Sequence, residues 1–185
     1  VAMPFAGFRQ PSLALGLLKS SLEPLPVDVT VLDAPLVYAA LIGAETYDQI
    51  ATWRAEDLLG DWIFSAALRP AGAGADAAYE ADVLAGGLPQ HDLPYFGKPP
   101  LDDALRGRLR SAREQAPELL DTCLREVLAR EPLVVGFTSM FQQQTASLAL
   151  ARRIKAALPS TCIVVGGASC RGQMGLELLR SFTFV

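Results

Sequence analysis

Two short apolar runs, LVVGFTSM at 133–140 and CIVVGGAS at 162–169, constrain the fold of this chain more than any other feature. Each is a near-continuous β-branched or apolar stretch, the pattern of a strand buried on both faces of a parallel sheet. Between them Leu150, Ile154 and Leu158 recur at four-residue spacing and Pro159 ends the run, which predicts an amphipathic helix. A strand, a helix and a second strand in this order close as a parallel pair with a right-handed crossover. Upstream, VDVTVLDA at 27–34 has strand character, and PSLALGLLKSSLEP before it reads as a helix capped by Ser12 and stopped by Pro24. VAMPF reads as the last residues of one strand and SFTFV as the first of another, so the expectation is a fragment of a longer protein.

The middle third departs from this alternation. ETYDQIATWRAEDLLGDWIFSAALRP, 45–70, predicts helix, with Trp53, Trp62 and Phe64 supplying large apolar surface. AGAGADAAYEADVLAGG has the composition of a linker or weak helix, and LPQHDLPYFGKPPL is too rich in proline for a strand. A helical pattern returns over 102–130, with a break expected near Pro117. Residues 45–131 are therefore read as a helical insertion within one α/β domain spanning 1–185, because the insertion's apolar face needs the sheet to pack on. There is no internal repeat.

Composition narrows the function. With 185 residues, 51% apolar, and a net charge of −4, the chain suits one domain with a substantial core. Its 16 basic residues are scattered through helices and outnumbered by 20 acidic ones, which excludes the usual footprint of a nucleic-acid binder. Cys123, Cys162 and Cys170 form neither a disulfide framework nor a C-x-x-C pair. No apolar run approaches the roughly 18 residues of a membrane span, so the expected compartment is the cytoplasm.

In a doubly wound sheet, ligands bind beyond the carboxyl ends of the strands. Those ends here are MPFAGFRQPS, TSMFQQQTAS and GGASCRGQMG, all rich in small, amide and hydroxyl side chains suited to neutral hydrogen bonding. Ser139 to Gln142 fits a capping box, leaving Gln143 and Gln144 without a local role. Gly166 and Gly167 allow close backbone approach, but G-x-G-x-x-G and the P-loop lysine are absent. Met3, Met140 and Met174 fall beside these loops, as pocket lining or core filler. His91, the one histidine, sits in the proline-rich stretch with Asp92 beside it and no second ligand at metal-site spacing. Asp33, Glu56, Asp57 and Asp61 read as helix-surface or capping carboxylates, and there is no G-x-S-x-G elbow. The residues describe a binding domain, not a catalytic one.

MPFAGFRQPSLALGLLKSSL, LLGDWIFSAAL, VVGFTSMFQQQTASLALARRIKAALP and IVVGGASCRGQMG, in that order, resemble the N-terminal region of the radical SAM proteins that mature ribosomally synthesised peptides, often called RiPP maturation radical SAM protein 1. The resemblance implies an α/β, flavodoxin-like (cobalamin-binding-like) domain with a parallel sheet of strand order 2-1-3-4-5, its helical insertion lying between the second and third strands. It implies a possible cobalamin held by Pro4, Phe5, Ser12, Thr138, Ser139, Met140, Gln142, Gln143, Ser147, Gly166, Gly167, Ala168 and Ser169. A [4Fe–4S] cluster and S-adenosylmethionine are expected only in a following radical SAM barrel, where C-methylation of a precursor peptide would occur. The Cys-x-x-x-Cys-x-x-Cys signature is absent from this chain, as is the Asp-x-His-x-x-Gly motif, so any cobalamin would lack a histidine ligand from it. Ser169 and Arg171 replace the asparagine and acidic residue usual in the family's GGANCEG-like turn.

Two functions of different class follow. One is the cobalamin-binding domain of a peptide-modifying methyltransferase. The other is a cofactor-free interaction module for the precursor peptide or the barrel, with Trp53, Trp62 and Tyr95 as candidate anchors. A nucleotide or flavin domain is a third, weaker reading.

Overall fold

The two apolar runs do pair. In the computed structural model, which describes residues 1–53, 55–69, 73–86, 101–140 and 142–185, β1 (Val134–Thr138) lies parallel to β2 (Cys162–Gly166), with Val134 opposite Cys162 and Thr138 opposite Gly166. Helix α7 (Gln144–Ala157) makes the crossover.

The expected five-stranded, flavodoxin-like sheet of order 2-1-3-4-5 does not form: among the described residues the sheet has two strands and the chain is mostly helical. Residues 27–32 adopt no strand, and Ala2 alone forms parallel bridges, to Asp33 on one side and Thr138 on the other. The reason lies in the partner segment. Ala2 donates to the Leu32 carbonyl at 3.0 Å and accepts from Ala34 at 3.1 Å, a parallel register that sets Leu32 opposite Val1 and residues 27–31 opposite no residue of this sequence. The β-branched residues of VDVTVLDA then have nothing to pair with, and Val27 and Val31 stay exposed.

The remaining chain is helix. Before the sheet come α1 (Leu13–Leu22), α2 (Ala34–Ile42), α3 (Ala44–Ala51), α4 (Leu59–Leu68), α5 (Ala73–Tyr79) with a π-helical turn at Glu80–Leu84, and α6 (Asp103–Leu128); α8 (Gly172–Ser181) follows β2. Ser12 caps α1 as expected, accepting from Leu15 N–H at 3.3 Å. The sequence pattern gave no sign of α2. The break expected near Pro117 is absent: α6 runs straight through it, its start fixed by Asp102 accepting from Leu105 N–H at 2.6 Å.

Helix α4 packs along α6 and α7, and α6 also along α2. One core joins them to the sheet, with Tyr38, Tyr47, Leu59, Phe64, Leu109, Leu119, Leu120, Leu148 and Ile154 fully buried. The sheet enters this core by one face only. Val135, Phe137 and Ile163 are buried, whereas Val134 and Val164 are 57% and 49% exposed. The runs taken for strands covered on both faces are thus half-covered strands of alternating burial. No helix among the described residues is long and apolar enough to cross a membrane.

Candidate functional site

The turns that leave β1 and β2 meet. Ser139 N–H donates to the Gly166 carbonyl at 2.6 Å, and Ser169 N–H donates back to the Ser139 carbonyl at 3.4 Å. The approach is close enough to dictate a residue: a Cβ on Gly167 would stand 2.3 Å from the Ser139 carbonyl oxygen, and Gly167 has φ +108°. Gly166, Gly167 and Ser169 therefore touch the Ser139 backbone directly.

The capping box expected at Ser139 to Gln142 does not form, because the chain turns through a left-handed residue at Gln142 (φ 62°) and α7 starts only at Gln144. Gln143 folds its side chain back to accept from Met140 N–H at 3.2 Å, and its carbonyl accepts the Ser147 hydroxyl at 2.8 Å. Gln142 is buried and turned toward the insertion, where its amide oxygen accepts Gly60 N–H at 2.9 Å, near the start of α4. In return, the Asp61 carboxylate accepts Thr145 N–H at 3.0 Å, in the first turn of α7. Two helices from distant parts of the sequence thus cap each other, each satisfying a donor the other leaves open. A Cβ on Gly60 would lie 2.6 Å from the Phe5 ring and 2.8 Å from the Gln142 backbone oxygen, so glycine is required for this fit.

The first-strand residues complete the packing. Pro4 is buried and joined to Phe5 by a cis peptide bond. The Phe5 ring lies 4.9 Å from that of Tyr47 and 5.7 Å from that of Tyr38. Tyr47 donates to the Ala6 carbonyl at 2.6 Å, and burial pushes both phenols well above the ordinary tyrosine range. Thr138 donates its N–H to the Val1 carbonyl at 3.1 Å. Ser12 lies on α1, with its hydroxyl engaged in capping. Among the sequence-predicted residues, Met140, Gly167 and Ala168 are exposed at the strand ends, Ser169 is half-buried, and the Ser139 hydroxyl is fully buried without a partner.

Many of the polar groups at these turns are already engaged within the chain. The two turns are in backbone contact, the amide oxygens of Gln142 and Gln143 are committed to Gly60 and Met140, and the α7 amino end already holds the Asp61 carboxylate. No group of three His, Cys, Asp or Glu side chains that could hold a metal ion occurs among the described residues; His91 and Asp92 lie outside them, as does Tyr95. Met3 is buried in the core, whereas Met140 and Met174 are exposed.

Of the candidate aromatic anchors among the described residues, Trp62 is buried and Trp53 half-buried. Trp62 stacks on Tyr79 with ring centroids 5.2 Å apart, and the Arg113 guanidinium sits 4.4 Å over the indole. Trp53 is half-buried and donates to Asp57 at 2.6 Å. Arg113 also bonds the Trp62 carbonyl, Ser65 at 2.9 Å and Asp76 at 2.7 Å, tying α6 to α4 and α5.

A concave surface is present elsewhere among the described residues. A groove of about 340 Å³ runs between β2 and α8, lined by Ile163, Val164, Val165, Cys170, Leu176, Leu178, Leu179 and Val185 among others. Sequence reasoning missed it, as it missed Gly60; Asp61, read as a helix-surface or capping carboxylate, does cap a helix, but the distant α7. The available signal was in α8, where Leu178 is buried while Met174, Leu176 and Leu179 project outward. No known protein family, curated protein or solved structure matches this chain.

Proposed function

We propose that this chain is an interaction domain whose uncovered apolar side docks polypeptide. One observation carries the reading: large apolar side chains are exposed on α1 (Leu13, Leu17, Leu18), on the outer sheet face (Val134, Val164) and on α8 (Leu176, Leu179), while α4, α6 and α7 bury most of theirs in the core. Exposed apolar surface on this scale marks interaction sites. The resemblance to radical SAM peptide-maturation proteins supplies the expected partners, namely the precursor peptide and the barrel of the same polypeptide. Calorimetric titration of the chain with each partner tests this. Binding that disappears in Leu176→Gln/Leu179→Gln or in Leu17→Gln/Leu18→Gln while the melting temperature holds supports docking through these apolar residues; binding indifferent to both double variants rejects it.

The cobalamin reading keeps one observation in its favour, the buried and unpartnered Ser139 hydroxyl where the two turns meet. Its test is the visible spectrum after mixing with hydroxocobalamin and desalting. Retained corrin absorbance that is lost in Ser139→Ala supports it; absorbance removed by desalting rejects it.

A further inference from the structure

We propose that the free edge of β2, together with the groove beside α8, binds an extended peptide of acidic and apolar residues as an added strand. This rests on the interaction-domain reading and specifies its mode. The first observation is backbone chemistry. Cys162 N–H is spent on the Leu133 carbonyl at 2.9 Å and the Gly166 carbonyl on Ser139, so the alternation of a parallel ladder turns the N–H and C=O groups of Ile163 and Val165 away from β1. No strand lies along that edge among the described residues. An unpaired edge is a template for an incoming strand, which gains main-chain hydrogen bonds from it and side-chain selectivity from neighbouring apolar surface. The groove supplies that surface, since Ile163, Val164 and Val165 form one wall and Leu176 and Leu179 stand on the other.

Charge identifies the kind of peptide. Residues 133–185 contain five basic side chains and one acidic, Glu177, whereas residues 1–132 contain eleven basic and nineteen acidic. Three of the five are engaged: Arg152 bonds the Ala67 carbonyl, Lys155 the Thr161 carbonyl, and Arg153 pairs with Asp121. The other two flank the groove. Arg171 falls between the lining residues Cys170 and Gly172 and has no side-chain partner among the described residues; Arg180 follows Leu179 and meets only Glu177, at 3.8 Å with both side chains exposed. An apolar channel with guanidinium groups at its ends favours carboxylates flanking apolar side chains.

The test uses the 185-residue chain and a blocked ten-residue peptide alternating glutamate and valine. Fluorescence polarisation should show saturable binding, at least tenfold weaker for the peptide with lysine in place of glutamate and for Arg171→Glu, an exposed site where folding is not at stake. Amide hydrogen exchange at Ile163 and Val165 should slow on binding, and a peptide N-methylated at alternate residues should fail to bind. Equal binding of the lysine or N-methylated peptide, or unchanged exchange at these two amides, overturns the proposal. So does concentration-dependent protection of the two amides without peptide, which would mean that a second copy covers the edge. If the peptide fails while partner binding still depends on Leu17 or Leu18, edge pairing is wrong and the interaction-domain reading stands; if both fail, both are wrong.

Discussion

The helices α4, α6 and α7 and the helices α1 and α8 all carry leucines, yet the two groups use them in opposite ways. On α4, Leu59, Trp62, Ile63, Phe64 and Leu68 are all buried, and on α7 a continuous stretch from Ala146 to Ala151 is buried. On α1 only Leu15 is buried, and on α8 only Leu178. The difference shows where the chain satisfies itself. Around α4 the large apolar side chains are buried against one another and the helix ends exchange caps through Gln142 and Asp61, with the Trp62 indole N–H left unpartnered among the described residues. Around α1 and α8 the apolar side chains remain available to something else. Changes on the first side should therefore register as lost stability, and changes on the second as lost binding.

The sharpest break in that comparison should come at Gly167. Alanine there combines a left-handed φ with a Cβ 2.3 Å from the Ser139 backbone, a neighbour that cannot rotate away. The expected loss is about 3 kcal/mol or more, from strain at positive φ and overpacking together. Thermal unfolding would then show a melting temperature lower by roughly 10 °C. A shift under about 2 °C would mean that the two turns are less closely held than the hydrogen bonds between them indicate.

Arg113→Met is the next largest. This guanidinium, 15% exposed, bonds Asp76, Ser65 and the Trp62 carbonyl while stacking on the Trp62 ring. Methionine keeps much of the stem's packing but leaves these acceptors unmatched, a cost of about 2 kcal/mol measured by urea denaturation. A double-mutant cycle with Asp76→Asn should show coupling, because the two side chains share one contact.

How much of this was legible in the sequence depended on whether the deciding partner was local. The pair β1 and β2, the crossover helix between them and the Ser12 cap were legible, because each rests on residues within one short window. The failed strand at 27–32 was not: VDVTVLDA carries the β-branched pattern, but the register set by Ala2 opposite Asp33 leaves residues 27–31 with no partner residue in this sequence. Nor was the capping at α7 legible. The sequence offered a local box at Ser139 and Gln142, and the fold instead brought Asp61 from more than eighty residues away. Half-covered strands were mistaken for fully covered ones because valine at 134 and 164 looks the same whether a partner covers it or not.

A smaller effect should appear at alkaline pH and separate the core from the rest. Burial pushes the Cys123 thiol up to about 11 from an ordinary 9.0. The unfolded chain releases this proton first, so the native state loses stability as pH rises from 9 toward 11, by about 2 kcal/mol at most. The buried phenols of Tyr38, Tyr47 and Tyr79, also raised, add to the decline only above about pH 10, where unfolded tyrosine ionises. Cys123→Ala should flatten the portion between pH 9 and 10 in chemical denaturation curves, whatever its constant effect on stability. An unchanged slope would place the thiol in contact with water.

The smallest stability effects belong to the uncovered side, and they are the most informative about its use. Leu17 is 60% exposed on α1, and Leu179 is 54% exposed on α8. Replacing either by glutamine removes little buried surface, so the expected change is within about 0.5 kcal/mol, and solubility should improve as apolar patches shrink. A larger loss, measured by the same denaturation, would mean that these leucines are covered by the chain itself in solution. The sheet's outer face would then belong to the core, and the contrast between the two groups of helices would collapse. A null effect on stability combined with weakened partner binding would instead separate folding from recognition within one small domain. That separation is what natural interaction surfaces show when their apolar residues are retained at no benefit to the free protein's own stability.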